Sequence, residues 1–151
     1  MTRGYVQLLS ITLLVVAFSV TLAAQQESID ELRAEAGDAD AQYNLGGMYD
    51  TGLGVAQDKA EAVRWHRLAA DQRNVGSQFS LGTIYADGRG VPQDDVQAHM
   101  WFNLSASRAT GIVGSEAVRS RDEVANRLTP DQRAEAQRLA REWDEAHPRE
   151  P

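Results

Sequence analysis

The segment that decides the fold is Gln42–Trp65, QYNLGGMYDTGLGVAQDKAEAVRW, because the chain contains it twice. A shift of 36 residues aligns it, without a gap, with Gln78–Trp101, QFSLGTIYADGRGVPQDDVQAHMW. When the alignment is extended to Ala70 and Ala106, 13 of its 29 positions are identical. A fixed period of this size indicates a repeat protein, in which each unit packs on its neighbour.

The pattern within each copy predicts two short helices joined by a tight turn. In the first copy, Asp38 is a suitable N-cap for a helix that runs to Tyr49. Two glycines then stop the helix and allow the positive φ of a turn, and the following valine is expected to plug the turn into the core. The second helix is expected to open at Asp58, where Glu61 completes a capping box. The second copy offers equivalents of all these residues.

Apolar residues at helical spacing predict the faces that pack together. In the first copy they are Ala41, Leu45, Met48 and Tyr49 in the first helix, and Ala62, Trp65, Leu68 and Ala69 in the second. Beside the first stripe lies Gly46, equivalent to Gly82, where the missing side chain lets a neighbouring helix approach closely. Because a single hairpin cannot bury both faces, we expect the hairpins to stack.

The rest of the chain divides into flanking segments. We assign residues 1–24 to a signal peptide, 25–37 to an N-terminal capping helix with apolar Ile29, Leu32 and Ala36, 38–70 and 74–106 to the repeats, 107–114 to a linker, 115–147 to a C-terminal helical cap and 148–151 to a tail. Within the cap, Ser115 is expected to start one helix. The run Thr129-Pro130-Asp131-Gln132 starts another, because it combines an N-cap, a first-turn Pro and a capping-box Gln. The predicted fold class is all-α, two repeats plus a C-terminal helical pair.

The N-terminus has the features of an export signal. Arg3 gives a positive start, an apolar run extends from Val6 to Val20, and small residues follow. We expect cleavage after Ala23 or Ala24, which places the mature chain in the periplasm or outside the cell, away from the membrane. The alternative is an uncleaved membrane anchor, since the apolar run is nearly long enough to span a bilayer.

Charge and cysteine content exclude several functional classes. The net charge is −7, from 15 basic and 22 acidic residues. Loss of Arg3 with the signal would make it −8, that is, 14 basic against 22 acidic residues. An acidic chain repels phosphate backbones, so nucleic acid is not an expected partner. The sequence has no cysteine, which excludes disulfides, thiolate metal sites and cysteine nucleophiles.

The repeated motif resembles a known family. The pattern Ala-Gln-x-x-Leu-Gly-x-Met-Tyr, then Gly-x-Gly-Val, Gln-Asp and Ala-x-x-Trp, runs from Ala41 to Trp65 and recurs in Gln78–Trp101. It is similar to the Sel-1-like repeat, a subclass of tetratricopeptide-like helical repeats. The resemblance implies a right-handed α/α solenoid that serves as an adaptor or scaffold through protein–protein contacts. Arg73 stands where a glycine would usually separate the repeats.

The first helices line the concave surface in tetratricopeptide-like stacks, which implies a groove here. On these helices, a second face remains once the packing stripe is removed. Its candidate partner-binding residues are Asp40, Tyr43, Gly47 and Asp50 in the first copy and Phe79, Thr83 and Asp87 in the second. Aromatics flanked by carboxylates would suit a protein or peptide ligand with apolar and basic side chains. The alternative is that Tyr43 and Phe79 only pack the repeats together.

The sequence shows no catalytic motif. The Gly-x-Gly loops follow no strand and precede no Lys-Ser or Lys-Thr, and neither a His-Glu-x-x-His nor a Gly-x-Ser-x-Gly is present. The histidines, His66, His99 and His147, are expected at the surface or at edges, and no cofactor or metal is expected. We therefore favour a monomeric extracytoplasmic protein-binding module. The alternatives are an envelope enzyme or hydrolase-like protein acting on peptidoglycan or β-lactams, and a structural assembly component. The resemblance connects β-lactams with cysteine-rich relatives of the family, whose cysteines this chain lacks.

Overall fold

The computed structural model describes residues 31–148 together with Val15, and six helices have both ends in that part of the chain. They are α1 (Ala39–Thr51), α2 (Lys59–Asp71), α3 (Val75–Asp87), α4 (Asp95–Ala106), α5 (Gly111–Ala125) and α6 (Pro130–Ala146). Residues 31–35 are also helical, and the described residues contain no strand. The all-α class is therefore confirmed. Apart from Val15, the expected signal peptide lies outside the described residues.

The helices pack as a stack of hairpins. α1 packs on α2 and α3 on α4, which are the two predicted hairpins. α2 then contacts α3, which joins the repeats, and α4 contacts both α5 and α6. The predicted solenoid of short hairpins is confirmed. None of the helices in the described part is both long and apolar enough to span a bilayer.

The ends of α1 and α3 follow from the residues that cap them. The side chains of Asp38 and Asn74 accept hydrogen bonds from the amides of Ala41 and Ser77. Both helices end at a glycine in the left-handed region, with φ of 74° at Gly52 and 68° at the equivalent Gly88. Only glycine adopts this conformation without strain, so the Gly-x-Gly turns have the structural role that the sequence predicts.

The capping boxes predicted at the second helices are only half formed. Asp58 accepts hydrogen bonds from the amides of Ala60 and Glu61, but its own amide donates to the carbonyl of Tyr49 at 3.0 Å. The Glu61 carboxylate instead pairs with Arg64 at 2.8 Å. The Asp58 amide therefore does not donate to the Glu61 side chain, because it already donates to a carbonyl at the end of the preceding helix. The Asp94 amide at the start of α4 is bonded in the same way. The box at Thr129 and Gln132 is complete, as predicted.

In each hairpin, one glycine allows the two helices to pack closely: Gly46 in the first and Gly82 in the second. A Cβ atom added to Gly46 would lie 2.8 Å from the ring of His66, and one added to Gly82 would lie 2.6 Å from the ring of Phe102. Both distances are shorter than van der Waals contact, so the rings occupy the space that a side chain would need. The predicted close approach of the two helices is confirmed.

The apolar core is deepest at the C-terminal end of the stack. Leu104 is 1% exposed and belongs to a cluster that includes Val124 of α5, Ala140 of α6 and Leu128 from the connection between these helices. The equivalent Leu68 was predicted to be buried, but it is 39% exposed. The reason is that α5 and α6 both pack on α4, whereas no comparable pair covers α2 among the described helices. Met48 and Tyr49 are likewise only half-buried.

The flanking segments differ from the sequence-based boundaries. α5 begins at Gly111, inside the expected linker 107–114, and Ser115 is within the helix, where its hydroxyl donates to the Gly111 carbonyl at 3.2 Å. The φ of 63° at Gly111 lets the chain turn into the helix four residues early. In the capping segment, Leu32 and Ala36 are exposed and Ala34 is buried, while Ile29 lies outside the described residues.

The last helix, α6, forms ion pairs with two of the connections between helices. Asp144 of α6 pairs with Arg73, at 3.1 Å, and with Arg108, so it reaches both the α2–α3 and the α4–α5 junctions. Trp143 stacks on His147 with ring centroids 4.1 Å apart. Arg73 has a φ of 67°, the left-handed conformation that a glycine would adopt at this junction. The amides of Arg73 and Asn74 donate to the carbonyls of Ala70 and Ala69 at 2.8 and 3.0 Å, which closes this turn.

Candidate functional site

A cavity of 280 Å³ lies between the first helices of the two repeats. Its lining residues are Tyr43, Asn44, Gly47, Asp50 and Thr51 from α1, Ser80 and Ile84 from α3, His66 from α2 and Arg89 from the α3–α4 turn. The cavity thus combines residues of both repeats, and it exists only because the hairpins are stacked.

The floor of the cavity is a buried, neutral histidine. His66 is 3% exposed, and its Nδ1 lies 3.5 Å from the Ser77 hydroxyl. Burial lowers the pKa of His66 to about 4; the charge of Asp50 raises this pKa by a smaller amount, and the charge of Arg89 lowers it. The imidazole therefore carries no charge at neutral pH.

The predicted positions of two histidines are wrong. His66 and His99 were expected at the surface or at edges, but they are only 3% and 4% exposed. His66 takes the place of the aligned Phe102, which is buried over Gly82 in the same way. Burial also lowers the pKa of His99. Both side chains therefore behave as parts of the core.

The charges at the rim are paired within the protein. Asp50 Oδ1 lies 3.0 Å from Lys59 Nζ, and Asp50 Oδ2 lies 2.9 Å from Arg89 Nη1. Arg89 Nε is 3.5 Å from the carboxylate of Asp87. Because Arg89 belongs to the second repeat and Asp50 to the first, this pair also joins the two repeats. Asp50 is consequently not a free carboxylate awaiting a basic ligand.

The structure brings together only part of the predicted groove. Tyr43, Gly47 and Asp50 line the cavity. Asp40 is exposed at one side, where it accepts a hydrogen bond from Asn74 Nδ2 at 2.9 Å. Tyr43 is consistent both with a role in the groove and with packing between the repeats. It is 38% exposed, yet its ring lies 2.9 Å from the position of a Cβ on Gly76 of the next repeat.

The residues predicted in the second repeat lie outside this cavity. Phe79 is half-buried and packs on Phe102 with ring centroids 5.4 Å apart. The Thr83 hydroxyl donates to the Phe79 carbonyl at 3.2 Å, and Asp87 is exposed beside Arg89. None of these three side chains lines the cavity, although Asp87 contacts the lining residue Arg89.

Sequence reasoning missed the lining residues Arg89 and His66. Both are positions where the two copies differ, since Arg89 aligns with Leu53 and His66 with Phe102. A comparison of the copies at non-identical positions next to the packing stripes would have drawn attention to them. Residues 31–148 contain no group of three or more side chains arranged to hold a metal ion.

Two further cavities are more open. One, of 480 Å³, lies at the start of α5 and is lined by Ala109, Ser115 and Val118 among others. The other, of 390 Å³, lies at the N-terminal end of the stack and includes Trp65 and Leu68. Neither lies between the two repeats, in contrast to the α1–α3 cavity.

Comparison with known proteins identifies the repeats. The family model of the Sel1 repeat matches residues 39–74 and again residues 75–109. A sel1-like repeat-containing protein of Acanthamoeba polyphaga mimivirus is 43% identical over 44 residues, which are 29% of this chain and 8% of that protein.

Two solved structures are similar to this chain. A protective antigen of uropathogenic Escherichia coli with an SLR fold matches with a TM-score of 0.76 and 32% identity, over 83% of this chain and 26% of that one. A Sel1 repeat protein from Oxalobacter formigenes matches with a TM-score of 0.52 and 26% identity, over 73% of this chain and 96% of that one. The chain therefore spans only a small part of the mimivirus and E. coli proteins.

Proposed function

Because this chain carries two Sel1 repeats, a fold that generally forms protein–protein interaction modules, we propose that it is an extracytoplasmic adaptor. It binds a peptide segment of a partner protein on the face formed by α1 and α3. The observation that carries this proposal is the cavity between the first helices of the repeats, whose wall includes a partly exposed tyrosine. Concave sites with an aromatic wall and a few polar groups are typical of ligand binding.

The alternative of a hydrolase is less well supported by this geometry. An enzymatic role would use a carboxylate such as Asp50 or Asp87. Both lie beside the Arg89 guanidinium, at 2.9 and 3.5 Å, and Asp50 is also bonded to Lys59. A general base must be free to accept a proton from substrate or water, which these pairs oppose.

The extracytoplasmic location rests on the N-terminal sequence. The positive start, apolar run and small residues before Gln25 are the features that a signal peptidase requires. The related E. coli protein is described as a protective antigen, which suits a location outside the cytoplasm. Mass spectrometry of the protein from a periplasmic extract should find a chain that begins at Ala24 or Gln25. An intact N-terminus in the membrane fraction would contradict this location.

A site-specific cross-linking experiment tests the binding face. A photoreactive amino acid replaces Asn44, an exposed residue at the cavity, or Glu145, an exposed residue of α6 that serves as the matched control. We expect one defined partner to be captured from Asn44 and not from Glu145. The double variant Tyr43→Ala and Phe79→Ala should weaken this capture while circular dichroism shows unchanged helix content. Equal capture from both positions, or capture that survives the double variant, would contradict the proposed face.

A further inference from the structure

Gly47 is a glycine in the interior of α1 that the fold itself does not require. A Cβ atom added there would meet nothing within 4 Å, whereas one added to Gly46 or Gly76 would lie 2.8 or 2.9 Å from a neighbouring ring. Gly47 is also not among the residues with a positive φ. Glycine is less favourable than alanine inside a helix, so an internal reason for Gly47 is lacking. The missing side chain instead keeps open the cavity that Gly47 lines.

The second repeat shows that the same position accepts a side chain. Thr83 is the equivalent of Gly47, and its hydroxyl donates to the carbonyl one turn earlier, that of Phe79, at 3.2 Å. The hairpin geometry is the same in both copies, so threonine at this position is compatible with the fold. What distinguishes the first repeat is therefore the space in front of α1.

The surroundings of that space favour an uncharged occupant. Asp50 is bonded to both Lys59 and Arg89, so neither sign of charge is left without a partner at the rim. A charged group entering the cavity would lose water without gaining a free counter-ion. The remaining walls include Ile84, 1% exposed, and the neutral ring of His66.

Two aromatic rings in the cavity wall favour an aromatic side chain as the occupant. The rings of Tyr43 and His66 lie with centroids 5.8 Å apart and planes tilted by 51°. Aromatic rings prefer such tilted and edge-to-face arrangements, and a third ring can join them through the same contacts. Beside them, the bare backbone at Gly47 lets the main chain of a ligand approach closely.

We propose that the cavity at Gly47 receives an uncharged aromatic side chain of the partner peptide, whose main chain crosses α1 at this glycine. This inference rests on the peptide-binding function proposed above and names the chemistry that the site selects. Of the apolar and basic ligand side chains expected from the sequence, it retains the apolar ones at this cavity and excludes the basic ones.

The test uses four peptides, Gly-Ser-X-Ser-Gly with X as Phe, Leu, Arg or Glu, titrated into the full chain while backbone amides are followed by NMR. We expect the Phe peptide to shift the amide signals of Gly47 and Ser80 and to bind at least about tenfold more tightly than the Arg and Glu peptides. The Leu peptide should bind less tightly than the Phe peptide.

A variant separates the cavity from the rest of the surface. Gly47→Thr installs the residue that the second repeat carries, and it should weaken the Phe peptide about tenfold while the circular dichroism spectrum is retained. Ala134→Thr, at an exposed position of α6, is the control and should leave binding unchanged. Equal or tighter binding of the Arg or Leu peptide, or unchanged binding by Gly47→Thr, would overturn this inference and leave the proposed function standing. Absence of any shift in α1 and α3 with all four peptides would overturn the inference, and failure of Asn44 cross-linking as well would overturn the function.

Discussion

Replacing His66 with phenylalanine should make the protein less sensitive to mild acid. The pKa of His66 is lowered by burial to about 4 in the folded chain, from the ordinary value of 6.5. Between these values the unfolded chain binds a proton that the folded chain does not, so the free energy of unfolding falls as the pH decreases. Phenylalanine fits the site, because Phe102 occupies the equivalent position over Gly82.

The size of the effect follows from the two pKa values. Through His66, lowering the pH from 7 to 5 should decrease the free energy of unfolding by about 2 kcal/mol. The imidazole becomes protonated over this range in the unfolded chain and not in the folded one. Hydrogen bonds also lower the pKa values of Asp38, Asp95 and Glu135, but these carboxylates are the same in both proteins and cancel from the comparison. His99, whose pKa is also lowered, contributes in the same direction to both proteins and cancels from the comparison.

Urea unfolding at pH 7, 6 and 5, followed by circular dichroism, measures this difference. The wild type should lose about 2 kcal/mol more than His66→Phe between pH 7 and 5. Any change in the variant that does not depend on pH, such as the lost contact with Ser77, affects all three values equally. His99→Val, which installs the aligned Val63, is the matched control and should retain the His66 effect. Equal losses in wild type and His66→Phe would refute the assignment of a buried neutral imidazole.

Three further predictions concern the stability of the stack. Gly82→Ala should destabilise by about 1–3 kcal/mol, because its Cβ would lie 2.6 Å from the buried ring of Phe102, whereas Gly47→Ala, which meets no neighbour, should stabilise by about 0.5–1 kcal/mol. Urea midpoints of the two variants compare them directly, and a loss at Gly47 as large as that at Gly82 would contradict the packing. Thr129→Ala removes the hydroxyl that accepts a hydrogen bond from the Gln132 amide and should cost about 1 kcal/mol in the same assay; no change would show that α6 does not need its N-cap side chain. Asp144→Asn weakens the ion pairs that α6 makes at both junctions and should lower the melting temperature in low salt more than in 1 M salt, while an equal loss in both would exclude an electrostatic role.

The sequence predicts the hairpins well because the identical positions are the ones that build them. The N-caps, the left-handed glycines and the close approach at Gly46 each depend on a local rule that a single residue type satisfies. The two-repeat stack could therefore be predicted from spacing alone. The C-terminal helical pair could also be predicted, since Thr129-Pro130-Asp131-Gln132 is a local start signal.

The errors arise where neighbours in space decide the outcome. Leu68 has the same pattern as Leu104, and only the presence of α5 and α6 over α4 separates a buried from an exposed leucine. His66 is a polar residue, which favours an exposed position in a sequence-based prediction. Its ring nevertheless packs as Phe102 does, because Gly46 leaves room for it. The pairing of Asp50 with Arg89 joins residues 39 positions apart, and no helical spacing rule would reveal it.

Between residues 42 and 51 of the first helix, the two copies differ at six positions, and five of these line the cavity. Of the α1 residues that line the cavity, Tyr43, Asn44, Gly47, Asp50 and Thr51, none is identical to its counterpart in α3, whereas Leu45, Gly46 and Tyr49 on the packing side all are. Leu45, Gly46 and Tyr49 make the same kind of packing contacts as their counterparts do in the second hairpin. On the open face, Asn44 is exposed and Gly47 meets no neighbour, so these two positions are open to contact with a ligand. A ligand lying along the stack would therefore meet two chemically different surfaces, a neutral cavity at Gly47 and the Phe79–Thr83 surface of the next hairpin, which gives the ligand a direction.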